Sequence, residues 1–382
     1  MTARGFRVAD SDMHVLEPPD LWQRYIDPAW KHAAPVGLTE LRRDMRVKVK
    51  SSVVLRIGTV RPQRGDAAGP WSTVQDEAFA EAERRGWDAV SQLEAMDREG
   101  LDVAVLFPSR GLFVLGLDAP QVMGIDGLEP DFAAAIARAY NDWLAQFCAE
   151  DPERLLGAAM LPPHDVDAAV AEARRMATEF GFKATFMRPN PINGRYWHHA
   201  SYDPLWAELE RLGVPICFHE GGSGEMPYIE QTGKRFDRGI MGHVVSHSLE
   251  MMQACVSMCM GGVLERFPRL RVAFLEGNCA WAPWLLWRMD EHVEWRGAVE
   301  APDLARKPSE YFRRQCWVSV ECDETPAVHA AETLADNIVF STDYPHGDSK
   351  YPRATEQFLK LPLPAETARK ILWDNWVRLY TP

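Results

Sequence analysis

The chain has 382 residues with 55 acidic against 42 basic side chains, a formal net charge of −13, which argues against nucleic acid as a partner because a phosphate backbone calls for a basic face. No apolar run approaches the ~18 residues of a membrane span, and the first residues lack the basic-then-apolar pattern of a secretion signal, so the expectation is no membrane partner and a cytoplasmic location. The seven cysteines include no Cys-x-x-Cys pair and are expected as reduced, mostly buried thiols. In chain order, strands are expected over 6–12, 101–107, 155–161, 183–188, 214–219, 271–276, 316–321 and 337–342, where short β-branched runs recur. Helical patterns alternate with them over 87–98, 130–150, 165–180, 201–212, 243–266, 283–296, 325–335 and 365–380. A strand followed by a helix, repeated around a parallel sheet, is the α/β pattern of a TIM (β/α)8 barrel. The exception is a long excursion after the first strand, residues 20–86, with a Lys/Arg-rich stretch at 42–50 and a Gly/Pro-bearing segment at 58–70. It is expected as an insertion covering the barrel mouth within one domain spanning 1–382.

Reactive groups in such barrels stand at the C-terminal ends of the strands. Asp12 and His14 sit two apart near the end of the first strand, so their side chains leave one face and can converge on one ion. The fifth strand ends in Phe218-His219-Glu220-Gly221-Gly222, the sixth in Leu275-Glu276-Gly277-Asn278 and the eighth in Ser341-Thr342-Asp343-Tyr344-Pro345-His346. Potential ligands therefore collect where the architecture puts chemistry. A mixed carboxylate and imidazole set suits Zn, Fe or Mn better than a thiolate-loving metal. No phosphate-binding loop, dinucleotide fingerprint or Gly-x-Ser-x-Gly elbow competes with this reading.

The stretches Asp10-Ser11-Asp12-Met13-His14-Val15-Leu16-Glu17-Pro18, Gly213-Val214-Pro215-Ile216-Cys217-Phe218-His219-Glu220-Gly221, Gly262-Val263-Leu264-Glu265-Arg266-Phe267-Pro268-Arg269-Leu270-Arg271-Val272 and Phe340-Ser341-Thr342-Asp343-Tyr344-Pro345-His346 resemble the amidohydrolase-related TIM barrels of the amidohydrolase superfamily. The resemblance implies metal ligands at Asp12, His14, His219, Glu276 and Asp343. Two positions depart from the family's pattern: Asp12 and Glu276 stand where many relatives carry His. Further histidines are present. His243 and His247 are four apart and share a helix face, and His346 follows Asp343 by three, placed to reach the same ion or to orient Asp343. This carboxylate-rich set resembles a branch that binds two non-haem irons.

The expectation is therefore a diiron monooxygenase, an oxidoreductase that uses dioxygen and an external reductant from an electron-donor protein. Its substrate would be a large apolar acid, free or as a CoA thioester. The alternative is one Zn or Mn used for hydrolysis or non-oxidative decarboxylation, with Asp343 as general base and Glu276 as a base instead of a ligand. Trp281, with Trp284 and Trp287, is read as a pocket wall, against packing of the helix on the barrel for Trp287. Arg188, at the end of the fourth strand, is read as the holder of a substrate carboxylate or phosphate, against a structural ion pair with the insertion. Arg42, Arg43, Arg46, Lys48 and Lys50 are read as a solvated face or as contacts for CoA phosphates. Barrels of this family commonly dimerise, so a homo-oligomer is expected, with the aromatics of 283–296 available to an interface.

Overall fold

The computed structural model describes residues 5–40, 43–50, 52–54, 69–116, 128–219, 236 and 239–381. Strand β1 (Ala9–Val15) precedes a small antiparallel sheet of β2 (Val36–Gly37), β3 (Val47–Val49) and β4 (Ser52–Val54). The remaining strands are β5 (Val103–Pro108), β6 (Leu155–Met160), β7 (Ala184–Met187), β8 (Ile216–His219), β9 (Val272–Leu275), β10 (Cys316–Val320) and β11 (Ile338–Phe340). Together with β1 they form one eight-stranded sheet in the order β1-β5-β6-β7-β8-β9-β10-β11. Every pair in it is parallel. The strands are buried along nearly their whole length, which is why they read as continuous apolar runs and not as alternating ones. Helices cross over between them, among them Pro130–Cys148, Val166–Glu179, Asp203–Leu212, Gly239–Met260 and Ala282–Glu300. The expected TIM barrel is the observed fold.

β1 lies three residues later than its expected span of 6–12. The polar run Asp10-Ser11-Asp12 reads as the end of a strand. In the barrel it is the middle of one, because all three side chains are wholly buried and the Asp10 carboxylate is bonded within the fold. The register against β5 shifts between Asp10 and Met13, the mark of a β-bulge, which re-aims side chains and tightens the local twist.

The barrel closes between β1 and β11 through the same residues. Beyond the end of β11, Asp343 N donates to Asp12 O at 3.2 Å and His14 N to Tyr344 O at 2.7 Å. One step lower the carboxylate of Asp10 completes the seam: it accepts from Asp12 N at 3.0 Å and Thr342 N at 3.3 Å, and from the Thr342 hydroxyl. Tyr380 OH donates to Ser11 O at 3.1 Å on the outer side. Asp10 is fully enclosed, and burial pushes its carboxyl up to about 7.

The insertion is anchored by packing and by backbone acceptors. Gly37 N donates to Pro19 O at 2.8 Å and Arg110 Nη1 to Leu38 O at 3.0 Å. Phe79, on the helix Gly69–Arg84, stacks on Tyr351 with centroids 5.1 Å apart and meets Tyr344 edge-on at 5.6 Å. The insertion is thereby tied to the loop that follows β11. Most of the Gly/Pro-bearing segment, 58–68, lies outside the described residues.

Replacing Asp10 by Ala removes three hydrogen bonds and leaves buried donors at the seam. It is expected to cost about 2–4 kcal/mol, read as a lowered midpoint in denaturant with an unchanged slope.

Candidate metal centre

His14 Nδ1 lies 2.7 Å from Pro108 O. Only a donor suits a carbonyl oxygen, so the proton is on Nδ1 and Nε2 carries a lone pair. Burial, with His346 and His219 nearby, holds this imidazole well below its ordinary value, so it is neutral. The lone pair faces Asp12 Oδ1 at 3.5 Å and Asp343 Oδ1 at 3.4 Å. Both Asp12 oxygens and His14 Nε2 are buried without a hydrogen-bond partner. Acceptors turned towards one another in a dry interior repel unless a cation lies among them.

His219, at the end of β8, completes the group. Its Nε2 is 2.9 Å from Asp12 Oδ1 and its Nδ1 is 3.5 Å from Glu276 Oε2. Asp12, His14 and His219 present ligand atoms within 4.8 Å of one another, as do His14, Asp343 and His346. The donor set of carboxylate oxygens and imidazole nitrogens fits a borderline divalent ion such as Mn or Zn, and no described thiol approaches it. The rings of Phe107 and Phe186 stand 5.6 and 6.3 Å from that of His219, giving the group an apolar flank.

Glu276 and Asp343 are both held at positive φ, 52° and 55°, a conformation that strains a residue with a Cβ and persists only when its surroundings enforce it. The surroundings are visible. Glu324 accepts from Cys279 N at 3.0 Å, Ala280 N at 2.9 Å and Glu321 N at 3.3 Å, gripping the loop after β9. Gly277 passes so close to the helix Gly239–Met260 that a Cβ there would lie 2.5 Å from Met251 Cγ. Glu17 grips the loop after β5 in the same manner, accepting from Ser109 N, Arg110 N and Gly111 N at 3.2, 2.8 and 2.9 Å.

His346 turns Nδ1 to Asp343 Oδ1 at 2.8 Å and Nε2 to Ser109 Oγ at 2.9 Å. Burial opposes its protonation, yet Asp343, Asp348 and Asp12 together hold it above its ordinary value. Asp343 is raised to about 6, by burial first, with His346 opposing. Glu276 is held well above the carboxylate range by burial and by the acids Asp343, Asp348, Asp12 and Glu321 around it.

The other expected residues are placed as follows. His247 Nδ1 lies 3.6 Å from Glu276 Oε1, and burial beside His243 lowers it to about 3. His243 is half exposed, 3.7 Å from Asp348 Oδ2, and outside the buried group. Trp281 is buried and donates to Gly277 O at 2.8 Å, bracing the Glu276 loop. Among the described residues Trp284 and Trp287 are each more than half exposed, which fits neither an enclosed pocket wall nor close packing on the barrel. Arg188 is buried, donating to Asn190 Oδ1 at 3.1 Å and Leu112 O at 3.4 Å, over the ring of Phe113. Arg43 pairs with Asp76, Arg46 with Asp44 and Lys50 with Glu129, while Lys48 is exposed. Arg42 and the segment Glu220-Gly221-Gly222-Ser223-Gly224 lie outside the described residues. All seven cysteines are buried and free, as expected.

Sequence reasoning passed over Asp10, Glu17, Ser109, Glu321, Glu324 and Asp348. Glu321, at the end of an expected strand, carried the strand-end signal. The others act through backbone amides or a turn, for which the residue types offer no pattern.

The profile of the amidohydrolase family matches residues 9–381. A gamma-resorcylate decarboxylase of Rhodococcus jostii (strain RHA1) is 30% identical over 245 residues, covering 61% of this chain and 72% of that protein. Among solved structures, an amidohydrolase of Mycobacterium avium subsp. paratuberculosis K-10 superposes with a TM-score of 0.75 at 22% identity, covering 99% of this chain and all of that one. A dihydroxybenzoic acid decarboxylase of Polaromonas sp. JS666, with bound manganese and 2-nitroresorcinol, superposes with a TM-score of 0.59 at 24% identity, covering 83% and 92%.

These relatives overturn the expectation of a diiron monooxygenase, and with it the oxidoreductase class, dioxygen and the electron donor: those with a stated reaction are decarboxylases. The physical reason lies in how the carboxylates are used. Asp12 and Asp343 converge with His14 on one point, and His243, one of the histidines counted towards a second iron, stands outside at the surface.

Adding Mn or Zn to chelator-treated protein at about a hundredfold excess over the dissociation constant is expected to stabilise it by about 2.7 kcal/mol. The rise in melting temperature should vanish in His14→Ala, which has no lone pair to offer.

Proposed function

The chain belongs to the amidohydrolase family, and from that premise we propose that it is a metal-dependent, non-oxidative decarboxylase of a small hydroxylated aromatic acid. The observation that carries the reading is the buried meeting of His14 Nε2, which has no proton because Nδ1 donates to Pro108 O, with the carboxylates of Asp12 and Asp343. The substrates named for relatives, gamma-resorcylate (2,6-dihydroxybenzoate) and 5-carboxyvanillate, supply the substrate class.

In this reading Asp12, His14, His219 and Asp343 hold one divalent ion, which when bound offsets the charge of the substrate's carboxylate and neighbouring hydroxyl oxygen. Decarboxylation breaks the bond between ring and carboxyl carbon. The electron pair stays on the ring carbon, carbon dioxide leaves, and a proton takes its place. The chain Ser109–His346–Asp343 is the proton store: His346 holds one at Nδ1, against Asp343 Oδ1. Glu276 reaches the centre from the opposite wall through His219 and His247, and orients the first of these imidazoles. Phe107 and Phe186 give the ring an apolar seat, and Arg188 contributes the positive charge that draws an acid towards a mouth otherwise rich in carboxylates. Trp281 acts on the substrate side through the loop it braces. We take the insertion 20–86, within a single barrel domain, to close over this mouth and exclude water.

The test is an oxygen-free assay of Mn- or Zn-loaded protein on 2,6-dihydroxybenzoate and 5-carboxyvanillate. Carbon dioxide released in step with loss of the acid is expected; no release from any hydroxybenzoate under these conditions would sink the reading. Asp343→Asn should lose on the order of a thousandfold in kcat, because it removes both ligand charge and proton path. Glu276→Gln is expected to keep its metal and lose roughly a hundredfold in rate. Measuring metal content beside turnover separates the two roles, and loss of the ion from Glu276→Gln would make it a ligand.

A further inference from the structure

We propose that Gln92 is a positioning residue for the metal centre: by donating to the main-chain oxygen of His14 it supplies a rung that the barrel seam lacks, and so sets where the His14 imidazole stands relative to Asp343. The inference rests on the metal centre proposed above. It concerns a side chain outside the ligand group and off the barrel strands.

At the mouth β1 and the chain beyond β11 run side by side, with rungs from Asp343 N to Asp12 O at 3.2 Å and from His14 N to Tyr344 O at 2.7 Å. The next rung would bring a backbone N–H from just past Tyr344 to His14 O, as a parallel ladder continues. That donor is missing. Pro345 has no N–H, and His346 N is turned to Asp343 O at 2.9 Å. His14 is wholly buried, and a buried carbonyl left without a donor costs about as much as a lost hydrogen bond. Gln92, itself buried, fills the place: its Nε2 donates to His14 O at 3.0 Å. Only the amide nitrogen suits a carbonyl oxygen, which fixes the orientation of the amide.

Gln92 is held by a frame outside the barrel. Its helix, Ala89–Glu99, is capped by Asp88, which accepts from Ser91 N at 2.9 Å. At the other end Glu99 accepts from Ala354 N and Thr355 N at 2.9 and 3.1 Å. Arg98 Nη1 donates to Ala78 O at 3.2 Å and joins this helix to Gly69–Arg84, whose Phe79 stacks on Tyr351 and meets Tyr344 edge-on. Tyr344 O and Gln92 Nε2 thus hold the main chain of His14, and both are backed by one packed unit. A ring fixed at Nδ1 by Pro108 O can still travel with its own backbone. The two main-chain bonds remove that freedom. Groups that orient a metal ligand from behind are typically worth about ten- to a hundredfold in metal affinity.

Titration of metal-free protein with Mn, read by electron paramagnetic resonance, tests the role. Gln92→Met keeps the length of the side chain without its donor, and should weaken Mn binding on the order of thirtyfold and change the spectrum of the bound ion. Gln92→Asn, polar but one methylene too short, should do the same. Asn337→Leu supplies the comparison. Asn337 Nδ2 also donates to backbone carbonyls, those of Arg313 and Cys316 at 3.1 and 2.8 Å, but at the end of the barrel away from the mouth. Its loss should lower the melting temperature of the metal-free protein and leave the Mn dissociation constant at the wild-type value. A Gln92 that only satisfied a buried acceptor would cost stability and no metal. Gln92 variants that bind Mn as the wild type does, or Asn337→Leu losing the ion equally, would overturn the role. Loss of Mn from the Gln92 variants supports it even where the wild type decarboxylates no acid offered, an outcome that sinks only the reaction. A wild type that takes up neither Mn nor Zn would overturn both.

Discussion

Everything at the mouth of this barrel depends on one electrostatic demand: acceptor atoms on His14, Asp12 and Asp343 are turned towards each other where all three side chains are buried. Like-signed lone pairs at such distances in a medium of low dielectric cost several kcal/mol unless a cation offsets them. The backbone leaves them little freedom to turn away. Asp12 and His14 belong to a bulged strand, and Asp343 is fixed by its own amide to Asp12 O. The seam that closes the barrel is therefore also the frame of the metal centre. A perturbation of one is a perturbation of the other.

Three further carboxylates, outside the candidate ligand group, show how the frame is kept. All three are buried; Glu17 and Glu324 each accept from three backbone amides of loops that follow strands, and Asp10 accepts from one amide within β1 and one just beyond β11. A carboxylate surrounded by amide donors holds a loop more firmly than neutral side chains do, because the bonds are charge-assisted. Glu324 fixes the loop of Glu276, Glu17 places Ser109 beside His346, and Asp10 ties Thr342 to β1. The acidic composition of the chain has part of its explanation here: several acids are internal fasteners instead of solvated surface charge.

The same acids account for the misdirection towards two irons. Carboxylates at positions 12 and 276, counted by type, look like extra charge for a second metal. In space they differ. Asp12 groups with His14 and His219, whereas Glu276 groups with Asp343 and Asp348 and lies beside the imidazoles of His219 and His247, with its backbone held left-handed by Glu324 and Gly277. A residue type at a strand end states that chemistry is near; it does not state which atom faces the ion.

The barrel, and the residues that meet in the candidate centre, were legible in the sequence because both follow from local patterns. Buried parallel strands must be apolar along their length, and reactive side chains must stand at their ends, so eight runs and the residues Asp12, His14, His219, Glu276 and Asp343 could be marked without a structure. What a single chain position cannot carry is distance across the barrel. The tautomer of His14 is set by Pro108, ninety-four residues away, and the partner of His346 is Ser109, two hundred and thirty-seven residues away. Exposure of Trp284 and Trp287, which share a helix with the buried Leu285 and Leu286, was likewise decided only when the helix settled on its neighbours. Sequence determined which groups were available and on which elements they stood; tertiary structure alone decided which lone pairs meet, because that depends on contacts between residues that local periodicity never relates.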